Sequence, residues 1–232
     1  MGNVMFMRKG EVHTAPVGGL PLSSLVEGQI VMIPEDGVLT PFYLAKHDYE
    51  SALNGLGRTL MVRETVPDTT LPFNEAGTNL YPNREIDNWV NDYFTDGTYL
   101  TRFSENLLEL MGYVKIYYTV GNGNSTIKTM ERRAFALSAV ELGATETSTI
   151  NAEGTVLPIA DLLKIAYKGT TPVYQWTRSP HLTDNTKAWG YTSAGSLSSA
   201  AVTTKRYVRP AFTLPSDMLT EVNDDGTVTL KV

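Results

Sequence analysis

Residues 175–180 read QWTRSP and residues 208–214 read VRPAFTL, and between them residues 181–207 read HLTDNTKAWGYTSAGSLSSAAVTTKRY. The two outer runs contain the aromatic and β-branched residues that are typical of core strands. The middle segment is rich in Ser, Thr, Gly and Ala, with Trp189 and Tyr191 among them. The pattern predicts two buried strands that carry a long, irregular, surface-exposed region between them.

The outer runs are predicted to be scaffold. Trp176 and Phe212 are expected in the core, where large aromatic side chains bury the most apolar surface. Arg178 and Arg209 lie on the same runs, and arginine is seldom buried unless it is paired. We therefore expect each guanidinium to donate to a carboxylate or to backbone carbonyls and to hold the ends of the middle segment together. Ligand binding by these arginines is the alternative.

The middle segment holds the candidate ligand-binding residues. Trp189 and Tyr191 lie beside Ser, Thr and Asn, and recognition of sugars or proteins uses this combination of flat apolar faces and adaptable hydrogen bonds. At positions i and i+2 of a strand the two rings would share a face, so core packing is the alternative. The predicted ligand-binding set is Asp184, Asn185, Lys187, Trp189, Tyr191 and Tyr207.

Short strands and hairpins are predicted over much of the chain. Residues 29–33 and 40–46 are β-rich runs joined by a turn that contains Asp-Gly at 36–37, which is a hairpin signal. Residues 114–120 (VKIYYTV) have the composition of a further strand. Residues 221–230 repeat the hairpin pattern around a second Asp-Gly pair.

Two or three short helices complete the prediction. Residues 83–94 place Ile86, Trp89 and Val90 on one helical face, so Trp89 is expected to be structural. Residues 104–111 and 159–167 are further amphipathic segments, whereas residues 130–140 fit either a buried strand or a helix. Scattered strands with a few short helices indicate an α+β fold rather than the alternation of a doubly wound sheet.

Composition restricts the classes of function. The chain has 232 residues, 42% of them hydrophobic, with a formal net charge of −6, which is typical of a globular protein and not of a nucleic-acid binder. It contains no cysteine and three histidines, so disulfides, thiolate metal sites and histidine-rich metal sites are not expected. We expect no cofactor and no metal, with calcium held by oxygen ligands as the open alternative.

The sequence contains no membrane-spanning or export signal that we recognise. No run approaches the roughly 18 apolar residues of a membrane span, so membrane insertion is not expected. In residues 1–16 the basic residues follow the apolar stretch, which is the reverse of their order in a signal peptide. The expectation is synthesis in a cytoplasm without export by the usual route.

The motifs that could carry chemistry are incomplete. Residues 121–124 (GNGN) lack the Lys and Ser or Thr of a phosphate-binding loop, and residues 223–225 lack the ligand spacing of a calcium loop. Ser179, His181 and Asp184 could be a hydrolytic set, but nothing in the sequence brings a base, an orienting carboxylate and an oxyanion donor together. We therefore predict that the protein is not an enzyme.

Four of these runs, with the leader, resemble a known but uncharacterised family. YPNREIDNWVNDYF (81–94), AFALSAVELG (134–143), WTRSP (176–180) and VRPAFTL (208–214) resemble a domain family of phages and prophages of Gram-positive gut bacteria and of related bacterial proteins. The opening MGNVMFMRKGEVHTAP is similar to leaders of phage minor structural proteins. The resemblance covers nearly the whole chain and brings no established activity with it.

The resemblance implies a divergent C-type-lectin-like fold in which strands and short helices hold an irregular surface region. The implied organisation is an N-terminal docking arm at 1–18, the lectin-like domain at 19–215 and a C-terminal hairpin tail at 216–232. The chain lacks the disulfides and the sugar-site carboxylate motifs of calcium-dependent lectins, so calcium-dependent sugar binding is not expected.

The function implied is that of a virion structural protein in a tail, fibre or head-decoration position. It would be assembled in the host cytoplasm, contact other virion proteins, form a homo-oligomer such as a trimer, and recognise a host-surface glycan or protein through residues 181–207. One alternative is a purely architectural subunit that uses the same surface between subunits. Another is an enzyme that acts on cell-wall glycan, which would need a pair of carboxylates flanking a cleft.

Overall fold

The structure is a computed structural model that describes residues 4–8, 11–15, 19–92, 94–95 and 97–232. Most of its regular elements are strands, and the helices are four to seven residues long. The predicted α+β class is therefore confirmed.

The strands in chain order are β1 (Val4–Arg8), β2 (Glu11–Ala15), β3 (Leu20–Pro21), β4 (Ile30–Glu35), β5 (Val38–Lys46), β6 (Arg58–Arg63), β7 (Thr70–Leu71), β8 (Val114–Gly121), β9 (Asn124–Arg132), β10 (Ala134–Ala136), β11 (Ala166–Lys168), β12 (Thr171–Val173), β13 (Gln175–Pro180), β14 (Lys187–Tyr191), β15 (Leu197–Ala201), β16 (Arg206–Val208), β17 (Pro210–Pro215), β18 (Leu219–Val222) and β19 (Val228–Leu230). The helices are α1 (Ser51–Asn54), α2 (Glu85–Asn91), α3 (Glu105–Met111) and α4 (Ala160–Leu163), with 3-10 turns at Leu22–Ser24 and Leu100–Arg102.

The larger sheet has eight strands in the order β10-β17-β6-β5-β4-β19-β18-β3. Strands β4 and β5 form the predicted hairpin, and Asp36 and Gly37 at its tip both have positive φ. Positive φ at both central residues is what a tight hairpin turn requires, and Asp and Gly tolerate it. Most neighbouring strands in this sheet are antiparallel, and β19 and β4 are parallel.

The predicted C-terminal hairpin is confirmed as β18 and β19. It does not project from the fold, because β19 pairs with β4 and β18 pairs with β3 within the larger sheet. Val228 and Leu230 are buried in the main core. Strands β18 and β19 therefore lie in the same sheet as β17, the strand that precedes them.

The smaller sheet has five strands in the order β15-β14-β13-β16-β7. The predicted irregular region at 181–207 is wrong over much of its length, because β14, β15 and the start of β16 lie within it. Within β14, one of its small residues serves the close packing of neighbouring strands. A Cβ on Gly190 would stand 2.3 Å from the carbonyl oxygen of Gln175 on the neighbouring strand, so the position requires glycine.

The main core lies on one face of the larger sheet. Phe212 of β17 is fully buried and meets Phe42 and Phe103 edge-on at ring-centroid distances of 5.2 and 5.6 Å. Helix α2 has the predicted buried face, and its Trp89 donates from Nε1 to the carbonyl oxygen of Gly97 at 3.1 Å. The predicted core roles of Trp89 and Phe212 are confirmed.

One local prediction differs from the structure, and one open alternative is decided by it. The helix predicted over 159–167 is limited to the single turn α4, and Ala166–Lys168 is strand β11, which pairs with β12. The ambiguous run at 130–140 is strand, with the end of β9 and all of β10, followed by a turn. Strand β10 pairs with the buried strand β17, so pairing across the sheet decides its conformation.

Candidate ligand-binding surface

Arg178 occupies the interior of the fold as predicted for a scaffold residue. Its side chain is fully buried and forms a two-point ion pair with Glu141, with Nη1–Oε2 at 2.6 Å and Nη2–Oε1 at 3.0 Å. The same guanidinium donates to three carbonyl oxygens, those of Tyr117, Ala136 and Glu153. Burial alone would lower the pKa of Arg178, and Glu141 reverses the effect and raises it.

Arg209 and Trp176 also have the predicted scaffold roles. Arg209 is 3% exposed and donates to the carbonyl oxygens of Leu163 and Ile165 at 3.1 and 2.7 Å. Burial lowers the pKa of Arg209 to about 10, and the nearby Tyr43, Glu64 and Tyr167 oppose this only in part. Trp176 is 2% exposed, and its Nε1 donates to the carbonyl oxygen of Leu71 at 3.0 Å. These contacts connect β13 and β17 to the rest of the fold.

The residues of the possible hydrolytic set have separate partners. Ser179 is buried; its Oγ donates to the Glu153 carboxylate and accepts from the backbone N–H of Ala139. His181 instead stacks on Trp189, with ring centroids 5.0 Å apart and the rings 20° from parallel. In the described structure the side chains of Ser179 and His181 are not hydrogen-bonded to each other.

Three predicted binding residues lie together on the turn that leads into β14. The Asp184 carboxylate accepts from Lys187 Nζ at 2.8 Å and from Thr186 Oγ1 at 2.6 Å. These hydrogen bonds, that from Lys187 first, hold the pKa of Asp184 below its usual range. Asn185 is exposed on the same turn. The Asp184 carboxylate therefore already accepts hydrogen bonds from residues of its own turn.

Asn79 holds this turn from the interior of the protein. It is fully buried, and its Nδ2 donates to three carbonyl oxygens, those of His181, Asp184 and Lys187, at 2.8 to 3.1 Å. Its Oδ1 accepts from the backbone N–H of Asn122 at 2.6 Å. One buried amide therefore joins the turn before β14 to the turn between β8 and β9.

Trp189 and Tyr191 share a face of β14, as their spacing predicts, but that face is turned inward. Tyr191 is 2% exposed and donates to the carbonyl oxygen of Leu142 at 3.0 Å, and burial raises its pKa to about 12. The structure therefore places Tyr191 in the core, not on the binding surface. Trp189 is half-buried, with its indole N–H bonded to the carbonyl oxygen of Thr149 and one ring face against His181.

Tyr207 lies apart from the other predicted binding residues. It is on β16, two strands away from β14 in the smaller sheet. There it lines an open pocket of about 250 Å³. The other residues of the pocket wall are Thr70, Pro172, Val173, Tyr174, Ser193, Lys205 and Arg206.

Tyr174 and Arg206 are two pocket residues that are absent from the predicted ligand-binding set. Tyr174 is 47% exposed, whereas Arg206 is 8% exposed and packs against two aromatic rings. Its guanidinium carbon lies 4.6 Å from the ring centroid of Trp176 and 5.2 Å from that of Tyr174. The alternation Tyr174, Trp176 has the two-residue period of a strand and could have placed both rings on one face.

Two general features of the described residues bear on the kind of site. Over residues 19–92, 94–95 and 97–232, no group of three or more His, Cys, Asp or Glu side chains is placed to hold a metal ion. Within the described part of the chain, no helix is long and apolar enough to cross a membrane. The candidate surface is thus the pocket of Tyr174, Arg206 and Tyr207, with the turn at 181–187 as a second polar region.

Comparison with known proteins assigns a family. A family model described as "Domain of unknown function (DUF6273)" matches residues 56–216. No curated protein and no solved structure matches the chain. The match runs from just before β6 to the end of β17, so it includes the smaller sheet and every residue that lines the pocket. Because the match covers well over half of the sequence, the chain belongs to the family of this domain of unknown function, DUF6273.

Proposed function

We propose that the chain is a bacteriophage virion protein whose domain recognises a glycan or a protein on the host surface. The observation that carries recognition is the pocket on the smaller sheet, where the exposed ring of Tyr174 and the half-buried ring of Tyr207 stand beside Arg206. Flat aromatic faces next to charged donors are common at protein recognition sites. The place in a virion rests on the resemblance of residues 1–16 to phage leaders.

The pocket has the physical character of a recognition site. When a ligand covers the apolar face of a half-exposed tyrosine ring, the removal of that face from water contributes favourably to the free energy of binding. Thr70 and Ser193 add hydroxyl groups that can donate or accept hydrogen bonds at the pocket wall. These elements suit a ligand that has both apolar faces and hydroxyl groups, as sugars do.

A divergent C-type-lectin-like fold is part of this proposal. In support, a larger sheet and short helices carry a second sheet, four of whose five strands (β13 to β16) are consecutive in the chain. Calcium would not be required, because binding would depend on aromatic, hydroxyl and arginine groups. We propose no enzymatic activity, and incubation with purified cell walls is expected to release no sugar.

Binding to host cell walls is the direct test. Labelled full-length protein should bind purified walls from a panel of Gram-positive gut bacteria and retain binding to some of them in the presence of a calcium chelator. The variant Tyr174→Ala should lower that affinity about ten-fold or more, with an unchanged melting temperature. Tyr113→Ala is the matched control, because Tyr113 is also exposed, at 54%, and does not line the pocket. No binding to any wall would contradict recognition of the cell surface.

Placement in a virion needs a separate experiment. Mass spectrometry of particles purified from a strain that encodes the protein should find the chain at a fixed ratio to the major structural proteins. Deletion of residues 1–18 should reduce incorporation, because we propose that this arm docks the domain to other virion proteins or to sister subunits in a homo-oligomer such as a trimer. Absence of the full-length protein from purified particles would contradict the virion role. Failed assembly of the Tyr174→Ala variant, together with no wall binding by the unchanged protein, would favour the purely architectural role instead.

A further inference from the structure

We infer that the pocket of Tyr174, Arg206 and Tyr207 binds an oxyanion, a carboxylate or a phosphate, carried on a single sugar-sized group, with the Arg206 guanidinium as its donor. The inference rests on the proposed function, because it names the ligand class of the same site. It goes further in predicting that charge, and not only shape, decides what the pocket accepts.

Arg206 differs from the other two buried arginines of the described chain. Arg178 is paired with Glu141, and Arg209 donates to two carbonyl oxygens. Among the described residues, by contrast, Arg206 forms no ion pair, and its buried Nη1 has no hydrogen-bond partner. A buried charge without an anionic partner is costly, and the two aromatic rings beside Arg206 supply no hydrogen-bond acceptor. A bound anion would supply the missing acceptor.

The position of Arg206 is fixed by its neighbours. The guanidinium lies against the rings of Trp176 and Tyr174. The Trp176 ring is itself held in place by the hydrogen bond from its indole N–H to the carbonyl oxygen of Leu71. On the other strand, Gly190 leaves room for the guanidinium, because a Cβ there would stand 2.9 Å from Arg206 Nη1. A guanidinium held in this way loses little conformational freedom when a ligand binds, and its planar donors match the geometry of carboxylate and phosphate.

The charge of the pocket wall favours an anion. Lys205 and Arg206 line the pocket, and no Asp or Glu is among the lining residues that the structure describes. This local excess of positive charge contrasts with the net charge of −6 for the whole chain. Burial lowers the pKa of Arg206, with a partial offset from Tyr174, and a bound anion would oppose that effect.

The size of the pocket limits the ligand. Its volume of about 250 Å³ is below the roughly 300–1,000 Å³ of pockets that enclose drug-sized molecules. One sugar-sized group can occupy it while the rest of a polymer lies outside. Tyr174 and Tyr207 then supply apolar contact, and Arg206 binds the charged substituent. An acidic sugar and a sugar phosphate share this chemistry.

Three small molecules with the same sugar ring separate charge from shape. Glucose, glucuronic acid and glucose 6-phosphate are each titrated into full-length ¹⁵N-labelled protein while the Nε–H signal of Arg206 and the indole N–H signal of Trp176 are followed by NMR. Glucuronic acid, glucose 6-phosphate or both should shift these signals at concentrations at which glucose does not. A stronger response to one of them identifies carboxylate or phosphate as the preferred group.

Variants at two neighbouring cations test the assignment to Arg206. Arg206→Lys keeps the charge and loses the planar fork, and it should weaken binding of the preferred anion about ten-fold. Arg206→Gln, which also removes the charge, should abolish the selectivity over glucose. Lys205→Gln is the control for general attraction and should weaken binding by less than about three-fold, because its exposed ammonium is screened by solvent. Melting temperatures establish that each variant is folded.

The outcomes separate this inference from the proposed function. If the protein binds cell walls but glucose shifts the signals as strongly as the two anions, oxyanion selectivity is wrong and recognition stands. The same conclusion follows if Arg206→Lys and Lys205→Gln weaken anion binding equally. If neither walls nor any of the three sugars bind, both the inference and the proposed function are wrong.

Discussion

Arg178 and Glu141 form a two-point ion pair in which both side chains are fully buried. The pair joins the smaller sheet to a turn beside the larger one: Arg178 belongs to β13 of the smaller sheet, and Glu141 to the turn that follows β10 of the larger sheet. Tyr49 adds a third side chain, because its hydroxyl donates to Glu141 Oε1 at 2.6 Å. Three buried side chains from separate segments of the chain are therefore held in one network.

Removal of Arg178 should be among the most damaging single changes in the protein. The variant Arg178→Met leaves the Glu141 carboxylate buried without a counter-charge, and a loss of about 3–5 kcal/mol in the free energy of unfolding is expected. Urea denaturation measures it. The double variant Arg178→Met with Glu141→Gln removes both charges and should recover part of the loss. A loss below about 1 kcal/mol for the single variant would show that the pair contributes little.

Glu153 should make the protein less stable as the pH rises. Burial raises the pKa of Glu153, and the opposing effects of Arg178 and of hydrogen bonds from Ser179 and Thr119 offset this only in part. The folded state therefore keeps a proton that the unfolded state releases above the ordinary value of 4.5. Since the folded state binds more protons in this window, stability falls from that pH up to the folded-state pKa.

The variant Glu153→Gln isolates this effect. It should remove the decline, so the difference in unfolding free energy between Glu153→Gln and the unchanged protein should grow with pH within the window. Urea titrations at a series of pH values from about 4 upward measure the difference. A constant difference across the series would show that Glu153 has the same pKa in both states.

Gly121 and Gly123 lie in one turn and offer a matched pair of substitutions. Both have positive φ, at 81° and 79°, so alanine is strained at either position. A Cβ on Gly121 would stand 2.1 Å from the carbonyl oxygen of Asn79, whereas a Cβ on Gly123 meets nothing within 4 Å. We expect Gly121→Ala to cost at least about 2 kcal/mol more than Gly123→Ala in urea denaturation. Equal costs would mean that Asn79 can move without penalty.

The elements that could be predicted from the sequence are those specified locally. The turn at Asp36 and Gly37 specifies a hairpin by its own conformational preference, and the spacing of Ile86, Trp89 and Val90 specifies a helix face. Strands β14 and β15 could not be recognised in this way, because small polar residues are also typical of loops. Gly190 of β14 is required because the backbone of Gln175 lies so near, and that contact exists only in the folded sheet.

The candidate site was predicted less well for a related reason. Of the predicted binding residues only Tyr207 lines the pocket, and Tyr174 and Arg206 were missed. Tyr174 and Arg206 are far apart in sequence and meet because β13 and β16 pair in parallel. Period-two alternation tells which face of a strand a residue occupies, but not which strand lies beside it. That adjacency depends on contacts across the whole sheet.

Tyr49 and Tyr81 allow a last comparison, because both are fully buried and the substitution to phenylalanine removes the same hydroxyl group from each. Tyr49→Phe removes a donor to the charged Glu141 and should cost about 1.5–3 kcal/mol. The Tyr81 hydroxyl has no hydrogen-bond partner among the described residues, so Tyr81→Phe should be neutral or slightly stabilising. Thermal and urea unfolding of both variants measure the contrast. If Tyr81→Phe were as damaging as Tyr49→Phe, the hydroxyl of Tyr81 would have to form a hydrogen bond in solution. That result would contradict the prediction that this hydroxyl is buried without a partner.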